Sequence, residues 1–282
     1  MMFGLNVSPA TDADPISAAR RAEELGFDFI SVNDHLHGAS PRHETWTLLA
    51  WLAASTSRIH IASRVLAVPY RHPAVLAKMA ETFDRLSGGR LILGLGGGYS
   101  NEEFAAFGLG VPTPGEKVDG LEDAIHIARG LWSEERFTFE GRRYRTDAAR
   151  IEPKPERRIP IWLGTYGNRA LELTGRLADG WIPTYELALP EAVPAMRDRI
   201  MDAAHAAGRD PGEITCVYNV DVRIEEGNTP DFVVSAPANE LAERLGGFAN
   251  LGFDAVNLVP FGPGTSEQTE RLATEVIPAV AR

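Results

Sequence analysis

The sequence predicts an α/β protein of the (β/α)₈, or TIM-barrel, class, with an insertion after the fourth strand–helix unit. Two observations support this prediction. Eight short apolar runs alternate with eight segments of helical periodicity over 282 residues, a length typical of one such barrel. A helix-to-strand joint also recurs, since residues 25–30 read LGFDFI and residues 251–256 read LGFDAV. We therefore expect a single domain over residues 1–282.

The spacing of apolar residues defines each element in chain order. The strand candidates are apolar runs too short for a helix, and they comprise residues 3–7, 28–32, 59–63, 91–95, 161–164, 180–183, 214–222 and 255–259. The helix candidates repeat apolar residues every three or four positions, and they comprise residues 15–25, 44–54, 73–86, 117–132, 168–177, 190–207, 239–251 and 267–280. Pro73 begins the third helix and the pair Gly88-Gly89 ends it.

The longest insertion covers residues 133–158. Within it, residues 137–144 read FTFEGRRY, in which apolar and polar side chains alternate around a glycine, so this stretch predicts a β-hairpin. Pro153 and Pro155 predict a rigid end to the insertion.

Composition and charge exclude several classes of protein. The formal net charge of −11 argues against non-specific nucleic-acid binding, although local arginines can still bind a small anion. No apolar run approaches the length of a membrane span, and the first residues lack the basic and apolar regions of a secretory signal. The single cysteine, Cys216, excludes an internal disulfide framework. These features predict a cytoplasmic protein without a membrane or nucleic-acid partner.

A cluster of glycines ends the fourth predicted strand. Gly94, Gly96, Gly97 and Gly98 lie at the carboxyl end of that strand, which is the face where α/β proteins bind ligands. Glycines there allow the backbone to approach a phosphate or a flat ring. The alternative is a loop whose glycines only allow unusual backbone conformations and bind no ligand. The sequence contains no P-loop motif.

The second predicted strand ends in the sequence SVNDHLH. His35 can exchange a proton near neutral pH, and the adjacent Asp34 could fix its tautomer. The alternative is that Asp34 caps the next segment while His35 packs or faces water. A metal site formed by Asp34, His35 and His37 needs further ligands, which the fifth and sixth strand ends do not offer, so we predict no metal. No G-x-S-x-G segment suggests a serine hydrolase.

A second ligand-binding loop precedes the fifth long helix. Gly164, Thr165 and Gly167 stand beside the N-terminus of helix 168–177, where backbone N–H groups can bind a phosphate. The alternative is an ordinary cap made by Asn168. The turn Gly262-Pro263-Gly264 after the eighth strand competes for the same role on general barrel grounds.

Three segments together resemble the luciferase-like flavin oxidoreductase superfamily, in particular its branch that uses the deazaflavin coenzyme F420. They are SVNDHL at residues 31–36, IASRVLAVPYRHPAVLAKMAETFDRLSGGRLILGLGGGY at residues 61–99 and PIWLGTYGNRALELTGRLADGWIP at residues 160–183. The resemblance implies an oxidoreductase that transfers a hydride between F420 and a small organic substrate, either an alcohol or carbonyl compound or an activated alkene. It also implies a homodimer, since resembling proteins are usually dimers.

The resemblance assigns roles residue by residue. It places Asp34 and His35 beside the reactive carbon of the deazaflavin, with His35 as the proton-transfer group. It also implies that the backbone near Ser63 and Arg64 forms a bulge that supports the ring, with a non-proline cis peptide within residues 63–65, at Ser63–Arg64. The residues expected at the cofactor comprise Asp34, Ser63, Arg64, Gly96, Gly97, Gly98, Gly164, Thr165 and Gly167.

The sequence departs from the sugar-phosphate-oxidising members of this superfamily. Lys78, Lys117 and Lys154 are its only lysines, and none follows a late strand where a sugar phosphate could be held. Glu102 and Glu103 could supply an acid after the glycine cluster, but we expect a solvated helix face there. The alternative functions are a flavin mononucleotide (FMN)-dependent monooxygenase with the same barrel, a metal-dependent barrel hydrolase and a non-catalytic flavin carrier.

Overall fold

A closed barrel of eight parallel strands forms the centre of the protein in the computed structural model, which describes residues 1–280 except residues 226 and 228. The strands are β1 Met2–Asn6, β2 Phe29–Val32, β3 His60–Ser63, β4 Leu66–Ala67, β5 Leu91–Gly96, β6 Phe137–Glu140, β7 Arg145–Ala149, β8 Ile161–Leu163, β9 Gly180–Trp181, β10 Thr215–Ile224, β11 Val233–Ala236 and β12 Ala255–Pro260. The helices are α1 Pro15–Glu24, α2 Thr45–Ser55, α3 Pro73–Leu86, α4 Asn101–Ala106, α5 Pro114–Ser133, α6 Asn168–Leu177, α7 Val193–Ala206, α8 Ala238–Asn250, α9 Thr265–Arg271 and α10 Ile277–Val280.

The barrel closes in a single circuit of parallel pairings. The circuit runs β1–β2–β3–β5–β8–β9–β10–β12 and returns to β1, where Met2 pairs with Ala255 and Leu5 with Leu258. The short strands β4 and β11 add to β5 and β10 outside this circuit. The predicted fold class is therefore confirmed, and each of the eight predicted strands corresponds to one strand of the barrel.

Most differences from the predicted elements lie at their ends. The helices predicted over residues 73–86 and 168–177 have the predicted bounds. The last predicted helix is instead α9, a π-helical turn at Leu272–Val276 and α10. The pattern also missed β4, β11 and α4, because runs of two to six residues are too short to show a period.

The insertion forms the expected hairpin from β6 and β7. Its second strand begins at Arg145, so Tyr144 belongs to the turn. The Asp123 carboxylate of α5 accepts hydrogen bonds from the N–H groups of Arg143 and Tyr144, at 2.6 and 2.9 Å. Phe137 occupies the space that a side chain at Gly130 would fill, so the hairpin packs directly on α5.

The repeated joint is structurally equivalent in its two copies. Gly26 and Gly252 adopt φ angles of +83° and +87°, which favour glycine at the end of a helix. In each copy the following aspartate accepts the N–H of the neighbouring strand, from Phe3 to Asp28 at 2.7 Å and from Cys216 to Asp254 at 2.8 Å. Asp179 accepts the N–H of Ile161 in the same way at 2.8 Å. Three aspartates thus join neighbouring strands at the amino-terminal rim of the barrel.

The interior of the barrel is apolar at its amino end and polar above. Phe29 and Trp162 meet edge to face at 5.6 Å, and the Phe29 ring occupies the space beside Gly4. One layer higher, the Asn257 amide donates to Asn219 at 2.8 Å and to Ser31 at 2.9 Å. The polar layer faces the carboxyl ends of the strands, where the candidate site lies.

Candidate active site

A cavity of about 550 Å³ opens at the carboxyl ends of the barrel strands. It is lined by the loop after β2, the bulge after β3, the glycines after β5 and the ends of β8, β9 and β10. The structure brings many of the predicted site residues together around it. Those that line it are Asp34, His35, Arg64, Gly96, Gly97, Gly98 and Gly164. Ser63, Thr165 and Gly167 do not.

His35 forms a hydrogen-bonded chain with two residues that are distant in sequence. Its Nδ1 lies 2.9 Å from Oε1 of Glu103, and the Tyr70 hydroxyl donates to Oε2 of the same carboxylate. The backbone N–H of Leu36 also reaches Oε2, at 3.4 Å. The His35 side chain is 38% exposed and that of Glu103 only 7%. Nε2 of His35 has no hydrogen-bond partner in the described part of the chain, so it is the ring nitrogen free to exchange a proton with a ligand.

Glu103 is held in its ionised form. Burial alone would raise the pKa of its carboxyl, but hydrogen bonds from Tyr70, His35 and the Leu36 backbone outweigh burial and lower the pKa below its ordinary value. Burial and the bond to Glu103 raise the pKa of Tyr70, so that hydroxyl remains a donor. An ionised Glu103 favours the His35 tautomer with its proton on Nδ1, which leaves Nε2 as an acceptor.

The sequence suggested that Asp34 fixes the tautomer of His35, but Asp34 makes no hydrogen bond to that ring. Its fully buried carboxylate accepts two hydrogen bonds from Arg71, at 2.9 and 3.2 Å, and one from the Ala67 backbone N–H, at 3.0 Å. Arg71 in turn binds Glu44, the N-cap residue of α2. Asp34 therefore anchors the segment after β3 to the loop after β2. A role for Asp34 at the reacting carbon stays a prediction.

The bulge after β3 forms the floor of the cavity. The cis peptide bond predicted within residues 63–65 is present, but at Arg64–Val65 rather than at Ser63–Arg64. The Ser63 hydroxyl donates to the Gly94 carbonyl at 2.9 Å, and the Ser63 carbonyl fills the space that a Cβ at Gly94 would need. Ser63 therefore holds the bulge from below, buried and away from the cavity.

Each predicted glycine of the cluster accommodates a neighbouring group of the protein. The Val65 side chain lies over both Gly96 and Gly164, where an added Cβ would stand 2.8 and 3.1 Å from it. Gly97 makes room for Lys117 of α5, and Gly98, at φ +91°, makes room for the buried Phe104 ring. The glycines thus bring Val65 and α5 close to the cavity while still lining it.

Arg64 extends into the cavity without a partner. Its side chain makes no hydrogen bond to any described residue, and Nε is sealed from solvent. Burial lowers the pKa of its guanidinium, and the opposing charges of Asp221 and Tyr166 only partly compensate. No carboxylate of the described residues lies within 4.0 Å of it. The guanidinium nonetheless stays charged, because arginine does not deprotonate in proteins.

The predicted phosphate loop is divided between a buried and an open part. The Thr165 hydroxyl is buried against the Thr174 hydroxyl at 2.7 Å. Gly167, and not Asn168, is the N-cap of α6; no side chain caps this helix, and the space beside Gly167 is open. The first N–H groups of α6 are therefore the available donors. The competing turn at Gly262 packs against Arg223, which donates to the Pro263 carbonyl at 3.2 Å.

Sequence reasoning missed Tyr70 and misplaced Glu103. Glu103 does not lie on a solvated helix face; the Glu103 backbone N–H bonds to the Ser100 hydroxyl, which caps α4, and its side chain points to His35. The neighbouring Glu102 is the exposed one, 3.9 Å from His37. The pattern Ser-x-x-Glu after the glycines was the available signal, because it marks the start of a helix.

Two kinds of feature are absent from the described residues, 1–280 without 226 and 228. No group of three or more histidine, cysteine, aspartate or glutamate side chains is arranged to hold a metal ion. No described helix is both long and apolar enough to cross a membrane.

Comparison with known proteins identifies relatives of this barrel. The family model described as luciferase-like monooxygenase matches residues 7–229. An F420-dependent glucose-6-phosphate dehydrogenase of Kineococcus radiotolerans is 34% identical over 74% of this chain and 63% of its own length, so the match spans less than two thirds of that relative. Another of the same name, from Intrasporangium calvum, is 29% identical over 92% of both chains. A solved F420-dependent secondary alcohol dehydrogenase superimposes with a TM-score of 0.89 at 20% identity, covering 99% of this chain and 98% of its own.

Proposed function

This chain belongs to the luciferase-like monooxygenase family, and we propose that it is an oxidoreductase that uses the deazaflavin coenzyme F420. In this proposal a hydride passes between the coenzyme and a small organic substrate, an alcohol or carbonyl compound or an activated alkene. The observation that carries the proposal is the His35–Glu103 pair at the rim of a cavity floored by Val65. The names of the relatives support the choice of coenzyme.

The residues present fit such a cofactor. Val65 presents an apolar side chain that is seated on Gly96 and Gly164 and lines the cavity, which suits the face of a tricyclic ring. The uncapped start of α6 offers backbone N–H groups to a phosphate. The unpartnered Arg64 offers a positive charge to a polar group of the ligand. No described residue fills the space beside Gly167 that the phosphate would need.

The chain's own residues supply proton transfer and orientation. When bound, the deazaflavin supplies a ring carbon that exchanges hydride and no oxygen chemistry. His35 accepts the hydroxyl proton of an alcohol at Nε2, and in the reverse direction donates it. Glu103 holds the imidazole and stabilises the positive charge that His35 then carries, while Tyr70 holds Glu103. Val65 would support the face of a bound ring and so help to orient it toward the substrate.

The test of this proposal is a titration of the purified protein with F420 and with FMN, followed by fluorescence. We expect F420 to bind at least ten-fold more tightly, a difference of about 1.4 kcal/mol. Equal affinities, or tighter FMN, would move the function to the monooxygenase alternative. Tight F420 binding without turnover of any alcohol, ketone or enone would favour a carrier, and metal-dependent hydrolysis would favour a barrel hydrolase.

We also propose that the protein is a cytoplasmic homodimer built from one domain per chain. The described residues share one large hydrophobic cluster from Phe3 to Val276, with the hairpin packed on it, which supports a single domain. Helix α2 has no charged residue yet lies on the outside of the barrel, with Trp51 62% exposed. Val75 and Leu86 of α3 are also exposed. Apolar faces of this kind favour association with a second copy.

A further inference from the structure

Arg64 lines the cavity but takes no part in the proton-transfer chain. It follows β3 and lines the cavity together with Asn219 of β10, a strand that lies four strands away around the barrel. Arg64 thus shares the cavity with Asn219, which belongs to the polar layer formed with Ser31 and Asn257. Nothing among the described residues accepts its N–H groups.

Nε of Arg64 is sealed from solvent without a hydrogen-bond partner, and a polar group removed from water is costly when it lacks one. The barrel contains a contrasting arginine two residues beyond Asp221. Arg223 donates to the carbonyls of Phe261 and Pro263 and to the Glu225 carboxylate, so its charge is satisfied by the protein. Arg223 stabilises a loop. The N–H groups of Arg64 are instead available to a ligand that enters the cavity.

The shape and charge of the surroundings restrict that ligand. A guanidinium presents parallel N–H groups that match two acceptors in one plane. Glu186 lines the cavity, and the Asp221 carboxylate is near enough to interact electrostatically with both Arg64 and Glu186, so a second negative charge on the ligand would be repelled. No lysine is among the described residues that line the cavity. The site therefore suits a planar monoanion and is poorly suited to a phosphate dianion.

We propose that Arg64 is the anion-binding residue of the cavity and holds one planar, singly charged group. Such a group is either the carboxylate of a substrate or the N–C–O edge of a reduced deazaflavin, which carries the negative charge of the reduced ring. Substrates of the sugar-phosphate type are excluded by the same charges. This inference rests on the proposed function for the second source alone, because a carboxylate would bind Arg64 without any cofactor.

The experiment compares the intact wild-type protein with Arg64→Met, Arg64→Lys and the control Arg223→Met. In one arm, calorimetry of the cofactor-free protein measures binding of lactate, of glucose 6-phosphate and of uncharged propan-2-ol. In the other arm, the affinities of oxidised and reduced F420 are measured by absorbance. Thermal unfolding of each variant is recorded alongside.

We expect Arg64→Met to weaken binding of either lactate or reduced F420 at least ten-fold, and Arg64→Lys to weaken it less. The arm that changes identifies the source of the anion. The unfolding midpoint of Arg64→Met should equal or exceed that of the wild type, because a buried N–H group without a partner is removed, whereas Arg223→Met should lower the midpoint and spare binding. Unchanged affinities in both arms, or glucose 6-phosphate binding more tightly than lactate, would overturn the proposal. Failure of F420 to bind at all would refute the proposed function, while the lactate arm still decides the role of Arg64.

Discussion

The imidazole of His35 has one nitrogen occupied and one free. Glu103 engages Nδ1 at 2.9 Å, and the carboxylate is itself held by Tyr70 and the Leu36 backbone. This arrangement orients the ring and leaves Nε2 toward the cavity, which is what a general base requires. His37, two residues on, packs edge to face on Phe107 at 6.1 Å instead.

Replacement of His35 should separate catalysis from binding. We expect His35→Ala to slow turnover by about 10²–10⁴ and to leave F420 affinity nearly unchanged, because the proton acceptor is lost but the ring floor is not. Steady-state kinetics and a fluorescence titration measure the two effects. His37→Ala is the control and should do much less. Unchanged turnover in His35→Ala would remove this residue from the mechanism.

Glu103 should make stability depend on pH in a defined direction. The pKa of its folded carboxyl lies below the ordinary value of 4.5, so its stabilising contribution is complete above that value and is lost as the pH falls through the lowered pKa. We expect Glu103→Gln to be less stable than wild type in urea at pH 7. The difference between their free energies of unfolding should narrow as the pH is lowered below 4.5. Glu102→Gln is the matched control, and its loss of stability at pH 7 should be small because that side chain is exposed.

The residues of the site could be predicted only where the interacting groups are close to one another in sequence. Asp34 and His35 are adjacent and follow a strand, so their position at the barrel mouth could be inferred. The pairing of His35 with Glu103 spans 68 residues and depends on α4, a six-residue helix without a recognisable period. In the structure Asp34 anchors the segment after β3, and Glu103 orients the His35 ring. The sequence suggested Asp34 for the second role because it is adjacent to His35.

At the scale of elements, the bulge after β3 and the glycines of β5 and β8 form one unit. Val65 rests on Gly96 and Gly164, and the Ser63 carbonyl rests on Gly94. The glycine cluster was predicted as a ligand-approach loop. The contacts show that it also receives the bulge, a long-range pairing that no spacing within β5 reveals.

A substitution at Gly96 should displace the bulge. The Cβ of Gly96→Ala would stand 2.8 Å from Val65, so we expect destabilisation of about 1–3 kcal/mol and weaker F420 binding. Val65→Ala in the same chain should restore much of the stability, since it removes the clashing methyl group. A double-mutant cycle by urea unfolding measures this coupling.

Gly247→Ala in α8 is the control, because its added methyl meets nothing within 4 Å. It should raise stability by roughly 0.5–1 kcal/mol, as alanine favours a helix. If Gly96→Ala lowered the free energy of unfolding equally in the wild-type and Val65→Ala proteins, the packing of Val65 on Gly96 would be contradicted.

The barrel as a whole was the most predictable level. Alternation of strand and helix patterns, together with the LGFD repeat, is a property of the entire chain, so local errors at element ends do not change the outcome. What escaped prediction depends on side-chain contacts between distant segments, such as the bond of His35 to Glu103.

Association of two copies is a whole-molecule property that one surface substitution should abolish. Trp51→Glu introduces a charge on the uncharged outer helix α2, and we expect the mass measured by light scattering after gel filtration to fall from that of a dimer to that of a monomer. Leu189→Glu, at an exposed apolar residue elsewhere, should leave a dimer. A monomeric wild-type protein at tens of micromolar would rule out this interface.

The three aspartates that join neighbouring strands at the amino-terminal rim separate two tasks in space. Asp28, Asp179 and Asp254 keep the strands in register from one end of the barrel, while every side chain proposed to meet a ligand belongs to the other end. Substitutions in the loops that form the cavity therefore leave the strand register, and with it the barrel, unchanged. A barrel divided in this way can acquire new substrates by exchanging one set of loops, and it is a natural scaffold for directed evolution.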